Sequence, residues 1–287
     1  MKKGCSVKIF RLLFGLFVAI FFISAFFYYT GKEIKTDSGD KVVVIELQNV
    51  IYESESILKR FDKYKDDDGV KGFILKINSP GGGVAPSQEI YRYLRKLQKP
   101  VYASMGSLAA SGGYYVAAGT EKIFALPGTI TGSIGVIIKF PNFKTLYDKI
   151  GVEFKTIKSG KFKDIGSPDR KMGEDEEKLL QDSIMDVYEQ FINDILASRK
   201  IDEKILREYA DGRIVTGNFA YKVGLVDALG SYMDAFEDMK KSYKLDDAKI
   251  YVDKTDKTLL EKIMENITYF KNLFKLEAGF YYLYEVF

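Results

Sequence analysis

Two short apolar segments of this chain each lead into a turn of small residues and then into a helical pattern. The run Val70–Ile77 is followed by Asn78–Gly83, which ends in three consecutive glycines. The run Val101–Met105 is followed by Gly106–Gly113. Short apolar runs bounded by glycine predict buried strands, and their alternation with helices predicts an α/β fold with mainly parallel pairing. We therefore expect a parallel sheet whose strands end in glycine-rich turns.

Ser111 lies in the second of these turns, between a predicted strand and a predicted helix. Small neighbours allow a substrate backbone to approach, and a helix start offers free N–H groups to an oxyanion. The Asn78–Gly83 loop could present a further N–H beside Ser111. It lacks the pattern of a nucleotide-binding loop, so a nucleotide site is weakly supported. A closely packed helix start without chemistry would have the same composition.

The chain contains no histidine and a single cysteine, Cys5. This composition excludes a Ser-His-Asp triad, a Cys-His pair, a histidine-ligated metal and a disulfide framework. A nucleophilic Ser111 would need Lys, Asp or Glu as its base, and lysine is the usual substitute. The segment Lys155–Lys171 offers several lysines, among which spacing does not choose; Lys163 lies near the apolar Phe162 and Ile165. The net charge of +3 gives no sign of a nucleic-acid partner.

Residues Leu12–Gly31 carry no charge. As a helix they would extend about 30 Å, the thickness of a bilayer core. The excess of lysine and arginine before this run predicts a cytoplasmic N-terminus and an extracytoplasmic remainder. A cleaved secretory signal is the alternative, but no clear cleavage site follows the run. We expect residues 1–31 to form a cytoplasmic N-terminus and membrane anchor, and 32–41 a linker.

The remaining pattern predicts further elements and a distinct tail. The aromatic end Phe280–Phe287 would either dock on its own domain or reach a neighbouring subunit, the membrane or a binding groove. The other predicted strands are Val42–Leu47, Lys122–Leu126, Ile134–Phe140, Val152–Ile157 and Ile250–Val252, and the other predicted helices are Ser54–Asp66, Phe143–Ile150, Gly173–Lys200, Asp202–Tyr209, Gly230–Tyr243 and Leu259–Lys275.

Several motifs occur in the order found in one enzyme family. They are Asn78–Gly83, Met105–Tyr115, Thr131–Val136, the stretch Lys158–Pro168 and the stretch Gly212–Asp227. Together they resemble the signal peptide peptidase A family of serine proteases, in its short form without a duplicated domain. The resemblance implies a ClpP/crotonase-like α/β fold of repeated strand–strand–helix units over residues 42–245, preceded by one transmembrane helix. Residues 246–287 would be a C-terminal extension.

The resemblance also implies a site and a mechanism. Ser111 matches the nucleophile, Lys163 the general base and Ser133 a serine that orients the lysine. Gly82 matches one backbone donor of the oxyanion hole, and Gly112, the residue after the nucleophile, is the expected second donor. An ammonium cannot accept a proton, so the site must favour the neutral lysine, and activity should rise toward alkaline pH. No metal or other cofactor is required.

The resemblance further implies a membrane-anchored endopeptidase that degrades residual signal peptides after preprotein processing. The protein would form a ring-shaped homo-oligomer such as an octamer, with sites shared between subunits. Three other functions stay open: cleavage of one particular membrane protein, crotonase-type acyl-CoA chemistry, and a non-catalytic membrane scaffold.

Overall fold

The computed structural model describes residues 14, 15, 17–22, 39–253 and 281–283. The chain divides into two units, residues 1–39 and 40–287. In the first unit the described residues 14, 15 and 17–22 are helical and largely exposed. None of the helices in the described ranges is long and apolar enough to cross a bilayer. Most of the predicted span Leu12–Gly31 lies outside the described residues.

The second unit is a mixed α/β domain built on one large sheet. Strands β1 (Lys41–Gln48), β2 (Val70–Ser79) and β4 (Val101–Ala110) pair in parallel in the order β1–β2–β4. The first half of β4 pairs with β5 (Lys122–Ala125), and its second half pairs with β6 (Ile130–Gly132). This split extends β4 past the end of β5 and toward Ser111. The sheet is completed by β7 (Ile214–Thr216) on β6, β8 (Ala228–Leu229) on β5 and β9 (Lys249–Val252) on β1.

Helices cover both faces of this sheet. The helices in the described part of this unit are α1 (Glu55–Lys65), α2 (Val84–Lys96), α3 (Gly112–Ala118), α4 (Lys144–Ile150), α5 (Glu174–Ser198), α6 (Glu203–Tyr209), α7 (Gly217–Val223) and α8 (Tyr232–Tyr243). Of these, α4 buries no side chain and does not take part in covering the sheet. On one face Phe61, Ile90 and Phe191 belong to the larger core, whereas Phe236 and Met239 of α8 cover the other face. Burial on both sides explains the continuous apolar runs of the parallel strands.

Two predicted strands are wrong. The segments Ile134–Phe140 and Val152–Ile157 are both fully described, and neither forms a strand. Residues with high β-propensity form strands only where a neighbouring sheet edge accepts their backbone. Here the side chain of Ile157 is 90% exposed, and that of Phe154 is 56% exposed. The segment between β6 and α5 instead forms an irregular arm, residues 137–170, around the short helix α4.

The residues after α8 contribute to two different sheets. Strand β9, within the predicted C-terminal extension, lies beside β1 and confirms the predicted strand Ile250–Val252. Strand β10 (Tyr281–Leu283) pairs antiparallel with β3 (Gly81–Gly83), the glycine loop that follows β2. The predicted helix Leu259–Lys275 lies outside the described residues.

Candidate active site

Ser111 lies where β4 ends and α3 begins, at the carboxyl edge of the parallel sheet. Its N–H donates to the carbonyl of Gly132 at 2.8 Å, which ties the turn to the end of β6. The residue is 1% exposed. Its backbone has φ +53° and ψ −118°. A non-glycine residue held there costs about 1–3 kcal/mol, and serine nucleophiles on strained strand-to-helix turns have this kind of backbone. The surrounding structure therefore holds Ser111 in an unfavourable backbone conformation.

The glycine loop β3 packs directly against this turn. Gly83 donates its N–H to the carbonyl of Ile51, and the N–H of Ile51 donates to the carbonyl of Gly81, both at 2.8 Å. Because alternate residues of a strand point their N–H groups to opposite edges, the Gly82 N–H faces away from Ile51. A Cβ at Gly112 would lie 3.1 Å from the Gly82 nitrogen. The backbones of the two predicted oxyanion donors are thus in close contact.

Gly82 admits only glycine, and a side chain at Gly112 would force its neighbours to move. A Cβ at Gly82 would lie 2.1 Å from the Ile51 carbonyl oxygen, and one at Gly112 would lie 2.7 Å from Ser87 Oγ. Ser87 donates to the carbonyl of Gly83 at 2.9 Å, so α2 also holds the loop in place. The peptide groups of Gly82 and Gly112 therefore lie closer together than side chains at these positions would allow.

Ser133 lies on a second strained turn beside the first. It has φ +50°, is 8% exposed, and donates its N–H to the carbonyl of Arg213 at 2.8 Å. The side chain of Thr131 donates to the carbonyl of Ala109 at 2.7 Å and fastens β6 to β4. Ser111 and Ser133 line the same cavity.

That cavity has a volume of about 650 Å³ and is mostly apolar. Its walls come from the segment after β6, from α5 and from the loop before β7, with lining residues Ser111, Ser133, Gly135, Val136, Ile137, Lys139, Gln181, Ile184, Met185, Tyr188, Ala210, Asp211 and Gly212. A cleft of this size and lining, with a few polar groups among apolar ones, is typical of a site for an apolar ligand.

Two ionisable groups of the cavity have shifted pKa values. The Arg213 guanidinium donates to Asp211 at 2.8 Å from Nε, and this bonding lowers the pKa of Asp211 to about 2. Burial raises the pKa of Tyr188. At neutral pH the cavity therefore contains one carboxylate, paired with arginine, and a neutral phenol. Neither arrangement provides a base near Ser111.

Lys163 is not brought to this cavity within one chain. It lies in an exposed turn, where its N–H donates to the carbonyl of Gly160 at 3.2 Å. The turn is braced by Arg170 and Lys158, whose bonds to Asp164 hold the pKa of that carboxyl well below its usual range. Among the described residues, Lys139 is the lysine that lines the Ser111 cavity.

The structure also shows contributors that the sequence did not single out. Ser87 and Ile51 hold the glycine loop, and Lys139 and Asp211 line the cavity. Ser87 follows Gly83 by one helical turn, which is a usable signal for a side chain that reaches back to a loop. Lys139 and Asp211 carry no such signal, because only the tertiary fold brings them to Ser111.

Comparison with known proteins places the chain in a family. The model of peptidase family S49 matches residues 93–246, and the model of the Clp protease family matches residues 41–132. The first match contains Ser111, Ser133 and Lys163, and the second contains Gly82 and Gly112.

Three relatives illustrate the range of similar proteins. A protein of Enterococcus faecium named as a signal peptide peptidase is 44% identical over 237 residues, which are 77% of this chain and 69% of the relative. A Synechocystis protein named as a protease is 42% identical over 76% of this chain and 80% of the relative. The chloroplast serine protease SPPA of Arabidopsis thaliana is 36% identical over 62% of this chain and 27% of the relative.

Proposed function

We propose, from the premise that the chain belongs to peptidase family S49 and is a serine protease, that Ser111 is its nucleophile and Lys163 its general base. The observation that carries the proposal is the strained, buried turn at Ser111, which opens into an apolar cavity and packs against the Gly82 amide. The fold would be of the ClpP/crotonase type with repeated strand–strand–helix units.

The proposed reaction is hydrolysis of a peptide bond through an acyl-enzyme. Neutral Lys163 takes the proton of Ser111 as Oγ attacks the scissile carbonyl carbon. The N–H groups of Gly82 and Gly112 stabilise the oxyanion, and such donors are each worth about 10²–10³ in kcat. The lysine then protonates the leaving amine, and water hydrolyses the ester in a second round. Ser133 orients the lysine.

A second copy of the chain would supply the lysine. The arm that carries Lys163 exposes apolar side chains that a monomer leaves in water: Leu146 is 53% exposed, Ile150 60% and Ile157 90%. Helix α4, all of which is described, has no buried side chain. Burying one such side chain is worth about 1.5–3 kcal/mol. When a neighbouring subunit covers this arm, Lys163 of the first subunit would reach Ser111 of the neighbour. Repetition of that contact from subunit to subunit would close a ring.

Lys139 is the competing base, because it lines the Ser111 cavity of the same chain. The two assignments differ in their dependence on assembly. A dyad with Lys139 would be complete in one subunit, whereas a dyad with Lys163 needs two.

The substrates proposed are apolar peptides, and residual signal peptides in particular. The apolar side chains of α5 along the cavity, including Ile184 and Met185, support this choice. The charge-free run Leu12–Gly31, with basic residues before it, supports a single membrane anchor with the protease domain outside the cytoplasm. Such an anchor would hold the site close to peptides left in the bilayer.

Co-expression of two inactive variants tests the proposal. Full-length Ser111→Ala and Lys163→Ala chains are expected to be inactive alone against an apolar signal-peptide-like substrate. Together they should recover roughly a quarter of wild-type activity, because random assembly pairs an intact serine with an intact neighbouring lysine in that share of sites. In the matched control, Lys139→Ala takes the place of Lys163→Ala, both alone and in co-expression with Ser111→Ala.

The outcomes separate the two bases. If Lys163→Ala retains activity and Lys139→Ala loses it, Lys139 is the base and the assignment of Lys163 is wrong. If Lys163→Ala is inactive but mixing restores nothing, the dyad lies within one subunit. If Ser111→Ala keeps wild-type activity, Ser111 is not the nucleophile.

A further inference from the structure

The hydroxyl of Ser79 lies beneath the glycine loop, in a gap of a short hydrogen-bond ladder. Ser79 is the last residue of β2 and is 0% exposed. Beside the loop, the bonds that Ile51 makes with Gly81 and Gly83 form a parallel ladder. Continued by one step, that ladder would join the Gly81 N–H to the carbonyl of Asn49. The Ser79 hydroxyl lies between these two groups instead.

This hydroxyl makes both bonds that the missing step would have made. It accepts the N–H of Gly81 at 3.1 Å and donates to the carbonyl of Asn49 at 2.5 Å. Both backbone residues are left-handed, with φ +101° at Gly81 and +64° at Asn49. The order Ser79, Pro80, Gly81 is typical of a type II turn, in which the third residue has a positive φ. The Ser79 hydroxyl therefore fixes the direction of the peptide group that enters the loop.

The loop needs such a fastening because its three residues are all glycine. Glycine adopts both signs of φ at little steric cost, so the loop residues do not orient their own peptide groups. Ile51 holds the carbonyl of Gly81, and Ser79 holds its N–H. These two bonds fix the peptide groups on either side of the Gly81 Cα. The second of these groups carries the N–H of Gly82, which faces away from Ile51 and lies against Gly112.

Ser79 also touches the helix that begins at the candidate nucleophile. A Cβ at Gly113, the second residue of α3, would lie 2.8 Å from the carbonyl oxygen of Ser79. A shift of Ser79 would therefore change the position of the glycine loop relative to Ser111. Ser79 does not line the Ser111 cavity and is fully buried, so its hydroxyl acts through the loop and not by contact with a substrate.

We infer that Ser79 is a positioning residue whose hydroxyl directs the Gly82 N–H toward the oxyanion. The inference rests on the proposed function and deepens it. Without the hydroxyl, the buried N–H of Gly81 loses its partner and the entrance of the loop is free to turn, while Ile51 and Ser87 still hold its far end. The oxyanion forms only in the transition state, so a misdirected donor lowers kcat and leaves KM nearly unchanged.

Steady-state kinetics of full-length Ser79→Ala on an apolar signal-peptide-like substrate test the inference. The matched control, Thr120→Val, removes another fully buried hydroxyl, which donates to the carbonyl of Ala117 at the far end of α3. We expect Ser79→Ala to lower kcat about 10- to 100-fold, less than the loss of a donor outright, with KM within about twofold of wild type. Affinity for a peptide aldehyde, whose adduct with serine resembles the tetrahedral intermediate, should fall in parallel. Thr120→Val should keep kcat within about threefold.

The outcomes separate this inference from the function beneath it. If the wild type cleaves the substrate, Ser111→Ala does not, and Ser79→Ala keeps its kcat, the positioning role is refuted and the protease assignment stands. An equal loss of kcat in Thr120→Val, or a raised KM with unchanged kcat in Ser79→Ala, also refutes the role. If the wild type cleaves nothing, the proposed function fails and the inference fails with it.

A second variant decides the question if Ser79→Ala does not fold. Ser79→Cys fills nearly the same space, but its thiol is a weak donor and a weak acceptor. A folded Ser79→Cys with wild-type kcat refutes the positioning role, whereas a lowered kcat at constant KM supports it.

Discussion

Replacing Gly112 by alanine should reduce kcat, through the oxyanion hole, by more than it reduces the stability of the fold. The new methyl group would lie 2.7 Å from Ser87 Oγ and 3.1 Å from the Gly82 nitrogen, so the loop and the turn must move apart. Loss of one aligned donor costs about 10²–10³ in kcat, or about 2.7–4 kcal/mol. Overpacking costs about 1–3 kcal/mol of folding stability, and alanine recovers about 1 kcal/mol through its helix propensity. The kinetic loss should therefore exceed the loss of stability.

The assay compares kcat and thermal unfolding in the single variant and in Gly112→Ala combined with Ser87→Ala. Removal of Ser87 Oγ relieves the shorter contact but leaves the methyl group beside Gly82. We expect the double variant to be no less stable than Gly112→Ala while its kcat stays low. If folded Gly112→Ala keeps kcat within about threefold of wild type, no oxyanion donor is needed here and the reasoning is refuted. Recovery of kcat in the double variant would assign the loss to the Ser87 contact instead.

Three further predictions follow from strain and charge. Ser111→Gly should unfold at a higher temperature than Ser111→Ala, because glycine relieves about 1–3 kcal/mol of strain at φ +53°; equal melting temperatures would contradict this. Asp253→Asn should destabilise the fold by about 2 kcal/mol at neutral pH, while Asp148→Asn on the surface changes stability by less than about 0.5 kcal/mol. Burial raises the pKa of Asp253, but hydrogen bonds from Tyr64 and Arg60 outweigh it and lower the pKa overall. The destabilisation in Asp253→Asn should therefore begin to decrease at about pH 4 and disappear as the pH falls through the lowered pKa of the folded state, which denaturant titrations at several pH values would detect. Peptidase activity should rise toward alkaline pH, since only a neutral lysine accepts the proton of Ser111, and a flat profile would argue against a lysine base.

The local features of the site were predictable from sequence because short-range physics determines them. Three consecutive glycines after a buried strand predicted a loop that another backbone approaches, and the structure brings Gly82 against Gly112. Small residues around Ser111 predicted a strand-to-helix turn, which is found between β4 and α3. The long helix α5 followed from its apolar period and its acidic first turn.

The long-range features were not predictable in the same way. The apolar runs around Ile137 and Phe154 have the composition of strands, but neither forms a regular strand, and the side chain of Phe154 stays 56% exposed. The pairing of β10 with β3 joins residues about two hundred positions apart, and no local pattern specifies it. The roles of Ser111, Lys163 and Gly112 remain predictions that the variants above test, and those of Ser133 and Gly82 remain predictions.

The most direct test of the account is to label the nucleophile. Full-length wild type is treated with a serine-directed acylating probe, digested and analysed by mass spectrometry, with Lys163→Ala and heat-denatured protein as controls. The account predicts a single modification on Ser111 in the folded wild type, slow labelling in Lys163→Ala and none after denaturation. Modification of another serine, or an unlabelled Ser111 in a preparation that still cleaves peptides, would contradict it.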